Sequence, residues 1–417
     1  MKNKKLIGPI HQLVSLKGLP QKGAITDDQL EVISKGGILI EDDRILEVGQ
    51  YEDLRKRSDL SEVMRVDLNQ DFVAIPGLVD CHTHICFGGS RAKDFAMRNA
   101  GKSYLEIAAS GGGIWDTVTQ TRKLSASELA KGITERADRH LREGVTTIEV
   151  KSGYGLSTLE EIKMLTAIHK AQAKTKADLI STCLAAHMLP KDFQGTTDEY
   201  LEELVKRLLP LLKREKLSKR VDAFVEKSAF SPEQILPYFQ KAKEMGFDLT
   251  VHADQFSSGG SEAAVQVGAI SADHLEASTD EDIQRLAKSN TIGVALPGAS
   301  LGLGCGFTPA RKLLDLGGSL AIATDWNPGS APMGDLITQA SILATFEKLS
   351  TAEVFAGITF RAAAALGLQD RGKLVAGQKA DFVLYPTSNY QEILYQQGKL
   401  KPAQVWKSGK KVPTPKK

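Results

Sequence analysis

Five of the eight histidines and one late aspartate stand where an apolar, strand-like segment ends. The set comprises His82, His84, His187, His252, His274 and Asp325. Imidazole and carboxylate groups bind transition metals and move protons near neutral pH, so their shared position at strand ends indicates one reactive centre. The remaining histidines, His11, His140 and His169, lie in the N-terminal segment or in helical stretches, and we interpret them as structural.

Four of these side chains form a candidate metal site. His82 and His84 alternate with Thr83 in VDCHTH, so on a strand both imidazoles point the same way. His252 in DLTVHAD adds a third nitrogen, and Asp325 in AIATDW adds a carboxylate. These ligands leave a position for water on one Zn²⁺ or Fe²⁺/Fe³⁺ ion, which makes hydroxide available at neutral pH. The competing interpretations are a polar pair that closes a strand and, for Asp325, a helix N-cap.

His274 in SADHLE is the candidate general acid and base, because it ends the strand next to the one that carries His252. Asp325 is a second candidate for moving the proton from water to the leaving nitrogen. His274 could instead be a further metal ligand, and a two-metal site would need a bridging group as well. The third and fourth strands end in AAH and FVE without a lysine, whereas Lys151 ends the second strand. A single metal ion is therefore favoured, and a lysine bridge is disfavoured but not excluded.

The order of apolar and amphipathic segments predicts how these residues are positioned. Eight strand-like segments, from AIPGLVDCHTH to LAIATD, alternate with helical stretches, which is the pattern of a (β/α)₈ TIM barrel. In such a barrel, catalytic residues lie at the C-terminal ends of the strands. The barrel is predicted over residues 76–366, and the β-like segments at 1–75 and 367–417 are predicted to form one small β-sandwich domain.

Composition restricts the class of protein. The chain has 417 residues, of which 42% are hydrophobic and 25% charged, and this is ordinary globular composition. A net charge of +2 favours neither nucleic acid nor an acidic membrane surface as a partner, and no stretch approaches 18 uninterrupted apolar residues. The four cysteines are scattered without a CxxC pair, which fits a reducing compartment, so we expect a cytoplasmic protein that acts on a small molecule.

Longer motifs extend these patterns across nearly the whole chain. PGLVDCHTH is followed by GGSRAKDFAMRNAGKSYLEIAASGGGIWDTVTQTR, EVKSGYGL, AAHMLP, VHADQF, LPGASLGLG and ATDWNPGSAPMGDL. With these motifs the sequence resembles the imidazolonepropionase family, in the cyclic branch of the amidohydrolase superfamily. The resemblance implies a TIM barrel of amidohydrolase type that hydrolyses a ring carbon–nitrogen bond of 4-imidazolone-5-propanoate with metal-activated hydroxide. The implied product is N-formimidoyl-L-glutamate, in histidine degradation.

The resemblance also implies which residues contact the metal and the substrate. It implies the same four metal ligands as the strand-end pattern, with one zinc or iron ion per chain. The implied substrate contacts are Arg91, Tyr154, His187, Gln255, Asn327, Gly329 and Ser330. An arginine offers a planar fork of donors for the propionate carboxylate, and the other polar groups suit the ring nitrogens. Family habit further implies a homodimer.

Two positions depart from the family pattern, and two other functions compete with it. Cys81 stands where a proline is commoner, and Gln255 stands where some members carry a glutamate that is a candidate acid and base. An uncharged glutamine cannot titrate, which shifts that role to His274. The competing functions are deamination of a purine or pyrimidine ring on the same scaffold and a non-catalytic assembly protein. An arginine aimed at an aliphatic carboxylate argues against the first, and the complete ligand set argues against the second.

Overall fold

The computed structural model describes residues 4–57 and 63–413, and the strands within these residues form two sheets. In chain order the strands are β1 (Lys4–Val14), β2 (Val32–Glu41), β3 (Arg44–Gln50), β4 (Met64–Asp67), β5 (Val73–Pro76), β6 (Leu78–Asp80), β7 (Val145–Lys151), β8 (Asp178–Ala186), β9 (Arg220–Val225), β10 (Asp248–Ala253), β11 (Ser271–His274), β12 (Ile292–Ala295), β13 (Leu320–Ile322), β14 (Phe382–Tyr385), β15 (Gln404–Lys407) and β16 (Lys410–Lys411).

The α-helices are connected to the strands by turns and loops. They are α1 (Tyr51–Arg55), α2 (Ala92–Asn99), α3 (Tyr104–Ala109), α4 (Ile114–Lys123), α5 (Ala126–Arg142), α6 (Thr158–Gln172), α7 (Thr197–Glu203), α8 (Leu209–Arg214), α9 (Pro232–Glu244), α10 (Gly260–Val267), α11 (Asp280–Lys288), α12 (Pro297–Leu303), α13 (Ala310–Asp315), α14 (Leu336–Glu347), α15 (Thr351–Gly357), α16 (Phe360–Ala365) and α17 (Glu392–Tyr395). Within residues 4–57 and 63–413, no helix has the length and apolarity that crossing a membrane requires.

Strands β6 to β13 form a parallel sheet in which each strand pairs with the next one along the chain. Every residue of β7 and β12 is buried, as expected when helices cover the outside of a barrel and side chains fill its interior. Each of the eight predicted strand segments overlaps one of these strands. The predicted (β/α)₈ barrel is therefore confirmed.

The barrel closes at the histidine pair. Beyond the ends of β6 and β13, Thr83 and Trp326 form a parallel bridge. The Asp325 N–H donates to the His82 carbonyl at 3.0 Å, and the His84 N–H donates to the Trp326 carbonyl at 2.9 Å. His82 and His84 thus lie past the last residue of β6, in a segment that keeps strand-like pairing. The hydrogen bonds that close the barrel also fix the backbone of three candidate ligands.

Polar caps begin several of the helices that follow barrel strands. The Ser125 hydroxyl accepts from the Glu128 N–H, and the Glu128 carboxylate accepts from the Ser125 N–H at 2.8 Å, which forms a capping box before α5. This arrangement satisfies N–H groups that the helix itself leaves without partners. Helix α5 then buries Leu129, Ile133 and Ala137, one turn apart, against the barrel. Capping boxes also precede α7, α9, α11 and α15.

The second sheet combines strands from both ends of the chain, in the order β16-β15-β14-β5-β1-β2-β3, with β4 paired to β1. Alternate residues of β14 face two cores, because successive side chains of a strand point to opposite faces. Phe382 and Leu384 pack in a core of the sheet itself, whereas Val383 and Tyr385 join the barrel core. The predicted β-rich unit from both termini is therefore present. Its boundaries at 75/76 and 366/367 stay a prediction, and residues 1–3, 58–62 and 414–417 lie outside the described residues.

Candidate metal centre and active site

Four buried donor atoms converge at the C-terminal mouth of the barrel. The Nε2 atom of His84 lies 3.2 Å from Nε2 of His82 and 3.3 Å from Nε2 of His252. Asp325 Oδ1 lies 3.5 Å from His82 Nε2 and 3.4 Å from His84 Nε2. Three strand ends that are distant in the sequence therefore bring the predicted ligand set together.

The spacing of these atoms fits a small transition-metal ion. A tetrahedral ion with metal–nitrogen bonds of about 2.0–2.1 Å holds its ligand nitrogens about 3.3 Å apart, and the observed Nε2–Nε2 distances are 3.2 and 3.3 Å. Imidazole nitrogens with one carboxylate are also a donor set that suits zinc or iron. His274, His82 and Asp325 place ligand atoms within 4.8 Å of one another as well, so His274 lies close enough to be an additional ligand.

Two buried aspartates orient candidate ligands from the Nδ1 side of the rings, away from the converging Nε2 atoms. His82 Nδ1 donates to Asp273 Oδ2 at 2.6 Å, and His252 Nδ1 lies 2.9 Å from Asp222 Oδ2. A carboxylate at Nδ1 fixes the tautomer that leaves the Nε2 lone pair free for a cation. Neither aspartate is among the site residues expected from the sequence. The only available signal was an aspartate inside an apolar strand segment, in VDAFVE and in SADH.

Burial controls the charge of the donor atoms. Desolvation lowers the pKa of both His84 and His252 to about 3, so these rings are neutral. Desolvation and the nearby Lys151 also act to lower the pKa of His82, but its hydrogen bonds to Asp273 and Asp325 outweigh them and raise it to about 9. A cation that binds here displaces the His82 proton, so its binding weakens as the pH falls.

His274 stands at the same mouth in a strained backbone conformation. Its φ is 88° and that of Leu275 is 73°, values that non-glycine residues rarely adopt and that occur mostly at functional sites. His274 Nδ1 lies 3.4 Å from Glu276 Oε2, and the Ser300 hydroxyl donates to Glu276 Oε1 at 3.2 Å. Glu276 was not expected at the site, because nothing in SADHLE shows that the chain turns back at this point.

Tyr154 and His187 form an aromatic wall beside the candidate ligands. The His187 ring stacks on that of His84 with a centroid distance of 5.7 Å, and the Tyr154 ring lies 5.9 Å from His84. His187 Nδ1 donates to the Gly153 carbonyl at 2.9 Å, which leaves Nε2 as an acceptor. Both side chains are buried, so the two predicted substrate contacts do lie at the centre.

The ionisation of His187 makes metal-free stability depend on pH. Desolvation lowers the His187 pKa from 6.5 to about 4, so below pH 6.5 the unfolded chain binds more protons than the folded chain. The contribution of His187 is complete above pH 6.5 and is lost between pH 6.5 and about 4, by about 3 kcal/mol in total. We expect denaturant unfolding of the metal-free protein to show a weaker pH dependence in a His187→Asn variant. Equal slopes for the two proteins between pH 6.5 and 4.5 would contradict a neutral His187.

The loop after Asp325 is organised by one amide side chain. Asn327 Oδ1 accepts from the Gly329 N–H at 2.7 Å and from the Ser330 N–H at 2.8 Å. Asn327 Nδ2 donates to Asp325 Oδ2 at 2.9 Å and lies 3.0 Å from the Ser330 hydroxyl. The predicted substrate contacts of this loop therefore share one network with the candidate ligand Asp325.

Arg91 lies against this loop, whereas Gln255 makes no such contact. The Arg91 side chain donates from Nε to Asp94 and from Nη1 to Thr117 Oγ1 at 3.3 Å. A Cβ atom built on Gly329 would lie 3.5 Å from Arg91 Nη1, which places the guanidinium beside the loop. Gln255 is partly exposed three residues beyond His252, and within the described chain no hydrogen bond joins its side chain to the histidines.

A close packing contact under the loop gives a test of its position. A Cβ atom on Gly302 of α12 would lie 1.6 Å from the Ser330 carbonyl oxygen, so Gly302→Ala must displace Ser330 by more than 1 Å. We expect kcat/KM to fall by about 10²-fold, because displacements of this size misalign a substrate. Gly306→Ala is the matched control, since no atom lies within 4 Å of its Cβ position. Similar kcat/KM values for both variants would show that this contact does not position the loop.

The fold and the converging donor atoms define a class of enzyme. The sequence profile of the Amidohydrolase family matches residues 73–412. Among solved structures, atrazine chlorohydrolase from Arthrobacter aurescens TC1 in complex with zinc has a TM-score of 0.73, covering 98% of this chain and 94% of that chain at 18% identity. At that identity the likeness concerns the fold alone. The chain belongs to the amidohydrolase family, whose members are metal-dependent, and is a hydrolase of carbon–nitrogen bonds.

Closer relatives define the branch of this family. The imidazolonepropionase of Bdellovibrio bacteriovorus is 40% identical over 412 residues, which cover 98% of this chain and 96% of that protein. The imidazolonepropionase of Bacillus cytotoxicus is 41% identical over 383 residues, or 91% and 89% of the two chains. The profile of the bacterial imidazolonepropionase-like composite domain also matches residues 36–58. Within the amidohydrolases, the chain is a member of the imidazolonepropionases.

Proposed function

We propose that the chain hydrolyses 4-imidazolone-5-propanoate to N-formimidoyl-L-glutamate, a step of histidine degradation, at the barrel mouth described above. His82, His84, His252 and Asp325 hold one zinc or iron ion per chain. Arg91 binds the propionate carboxylate, and Tyr154, His187, Gln255, Asn327, Gly329 and Ser330 surround the rest of the substrate. His274 and Asp325 move the protons.

The observation that carries this proposal is the convergence of three Nε2 atoms and Asp325 Oδ1. Four buried donor atoms that converge on one point, with a carboxylate at Nδ1 of two of the imidazoles, are the arrangement of a cation site, because burying such groups without a cation costs free energy. When bound, the metal ion supplies an activated water at neutral pH and polarises the ring carbonyl. The protein must then hold the substrate, move one proton and exclude bulk water.

Two groups at the barrel mouth, Asp325 and His274, are placed to move the proton. Asp325 is a carboxylate, because its hydrogen bonds to His82 and His84 outweigh burial and hold its pKa well below the ordinary value. It accepts a proton from the attacking water. His274 Nδ1 lies 3.4 Å from Glu276 Oε2, so Nε2 is the atom of this ring that accepts from the water or donates to the leaving nitrogen. Breaking the ring bond leaves the propionate arm as part of the glutamate product, still paired with Arg91.

Substrate turnover with quantified metal tests the proposal. We would remove the metal with a chelator, add back zinc or Fe²⁺, and follow loss of the ultraviolet absorbance of freshly generated 4-imidazolone-5-propanoate. The expected result is conversion to N-formimidoyl-L-glutamate, identified by mass, that requires about one metal ion per chain. A chain that binds metal but leaves this substrate unchanged would contradict the proposed substrate and keep the metal site. We also propose that the chain forms a homodimer, which sedimentation of the same sample tests. The proposed location is the cytoplasm, which cell fractionation tests.

The role of His274 has its own test. We expect His274→Asn to lower kcat by about 10²–10⁴-fold at unchanged metal content, because asparagine cannot accept a proton. Glu276→Leu removes the group that faces His274 Nδ1 and should lower kcat less, whereas Glu276→Gln keeps an acceptor there and should retain most of the rate. A His274→Asn protein that keeps its metal and most of its rate would assign the proton transfer to Asp325 alone.

A further inference from the structure

Lys151 lies beneath the candidate ligands, and none of the roles above uses it. The side chain ends strand β7 and is 0% exposed. Its Nζ atom lies 2.7 Å from Asp222 Oδ2, 2.8 Å from Glu149 Oε2 and 3.8 Å from Asp273 Oδ2. One buried ammonium group therefore lies within 4 Å of three buried carboxylates. It is not free to form the lysine bridge between two metal ions that the sequence did not exclude.

Two of these carboxylates are the groups that orient the candidate metal ligands. The same oxygen of Asp222 that pairs with Lys151 lies 2.9 Å from Nδ1 of His252. The same oxygen of Asp273 that faces Lys151 accepts from Nδ1 of His82 at 2.6 Å. Lys151 is thus linked, through one shared oxygen atom on each side, to two imidazole rings carried by different strands.

We propose that Lys151 is a positioning residue for the metal centre, holding Asp222 and Asp273 where they orient His252 and His82. The inference rests on the proposed metal site. Without a central cation, Glu149, Asp222 and Asp273 would repel one another in a buried environment where water cannot screen them. Each aspartate would then rotate away from its imidazole partner, and Nδ1 would lose the acceptor that fixes the orientation of the ring.

The chain offers a matched control for the burial of a lysine among carboxylates. Lys407 in the terminal sheet lies 2.7 Å from Asp381 Oδ2 and 2.9 Å from Asp178 Oδ2, and its side chain is also buried. Neither of those aspartates contacts a candidate ligand in the described structure. Lys151→Met and Lys407→Met therefore each remove a buried ammonium that pairs with two carboxylates within 3 Å, one below the metal centre and the other in β15.

Metal affinity, rather than turnover, is the main measurement. We expect Lys151→Met to weaken zinc binding by about 10–100-fold in competition with a chromophoric chelator, and to change the absorption spectrum of the Co²⁺-substituted protein. Lys407→Met should lower the melting temperature as Lys151→Met does but keep zinc affinity within about twofold. The double variant Glu149→Gln/Lys151→Met loses one positive and one negative charge, so it restores the charge balance and should fold. Because the Glu149 side chain orients no candidate ligand, the double variant should keep the affinity defect.

Each outcome separates this inference from the metal site itself. Wild-type zinc affinity and an unchanged Co²⁺ spectrum in Lys151→Met, or in the double variant, would overturn the role of Lys151 while the metal site stands. An equal loss of affinity in Lys407→Met would also overturn it, since the effect would then follow from general destabilisation. Failure of the unchanged chain to bind zinc would overturn the metal site and the role of Lys151 with it.

Discussion

Replacing Asp325 with asparagine is expected to lower kcat by about 10²–10⁴-fold while the protein still binds metal at saturating zinc. The amide has the shape of the carboxylate and keeps an oxygen near His82 and His84, which lie 3.5 and 3.4 Å from Asp325 Oδ1. It cannot accept the proton of the attacking water, so the proton transfer is lost with little change in shape. Steady-state kinetics with metal quantified in each sample measure the effect.

Asp254 provides a matched control for the Asp325 substitution. Like Asp325 it is buried at the C-terminal end of a barrel strand and has a positive φ, 53° against 51°. Its carboxylate accepts from the Ser261 N–H at 3.1 Å and from the Ser278 hydroxyl at 2.7 Å. We expect Asp254→Asn to reduce stability and to keep kcat within about tenfold. An Asp325→Asn enzyme with a rate in the same range would remove Asp325 from the proton transfer.

Replacing Arg91 with leucine should produce the second large effect, a loss of about 10²-fold or more in kcat/KM. Hydrogen bonds to a charged group contribute about 1.5–3 kcal/mol each, and a guanidinium can form two with one carboxylate. Arg91 is prepared for this role because Asp94 and Thr117 hold its Nε and Nη1 atoms, and this fixes the guanidinium beside Gly329. Arg91→Lys should recover only a fraction of the loss, since an ammonium lacks the planar fork.

A substrate analogue isolates the carboxylate contact. The carboxamide of the substrate lacks the negative charge, so the unchanged enzyme should process it far less efficiently than the propionate. Arg91→Leu should process both compounds with similar, low efficiency. If the variant still prefers the propionate by the original factor, another cation binds the carboxylate and the assignment of Arg91 is wrong.

Local patterns in the sequence predicted the barrel and the residues at its mouth. Apolar segments that alternate with amphipathic ones predicted parallel strands covered by helices, and this periodicity depends on neighbouring residues alone. Because parallel strands of a barrel all end at one face, histidines at the ends of strands had to meet. His82, His84, His252 and Asp325 do converge, and the longer motifs placed Arg91 and Asn327 in the loops of that face.

Only the tertiary structure decided what supports these residues. His82 and Asp273 are 191 positions apart, and His252, Asp222 and Lys151 come from three different strands. No periodicity relates such residues, because their contact depends on strand register, on the turn of the backbone after His274, and on how the barrel closes at Thr83 and Trp326. The sequence by itself determined which donors reach the mouth, whereas the buried charges behind them were decided by packing between strands that are distant along the chain.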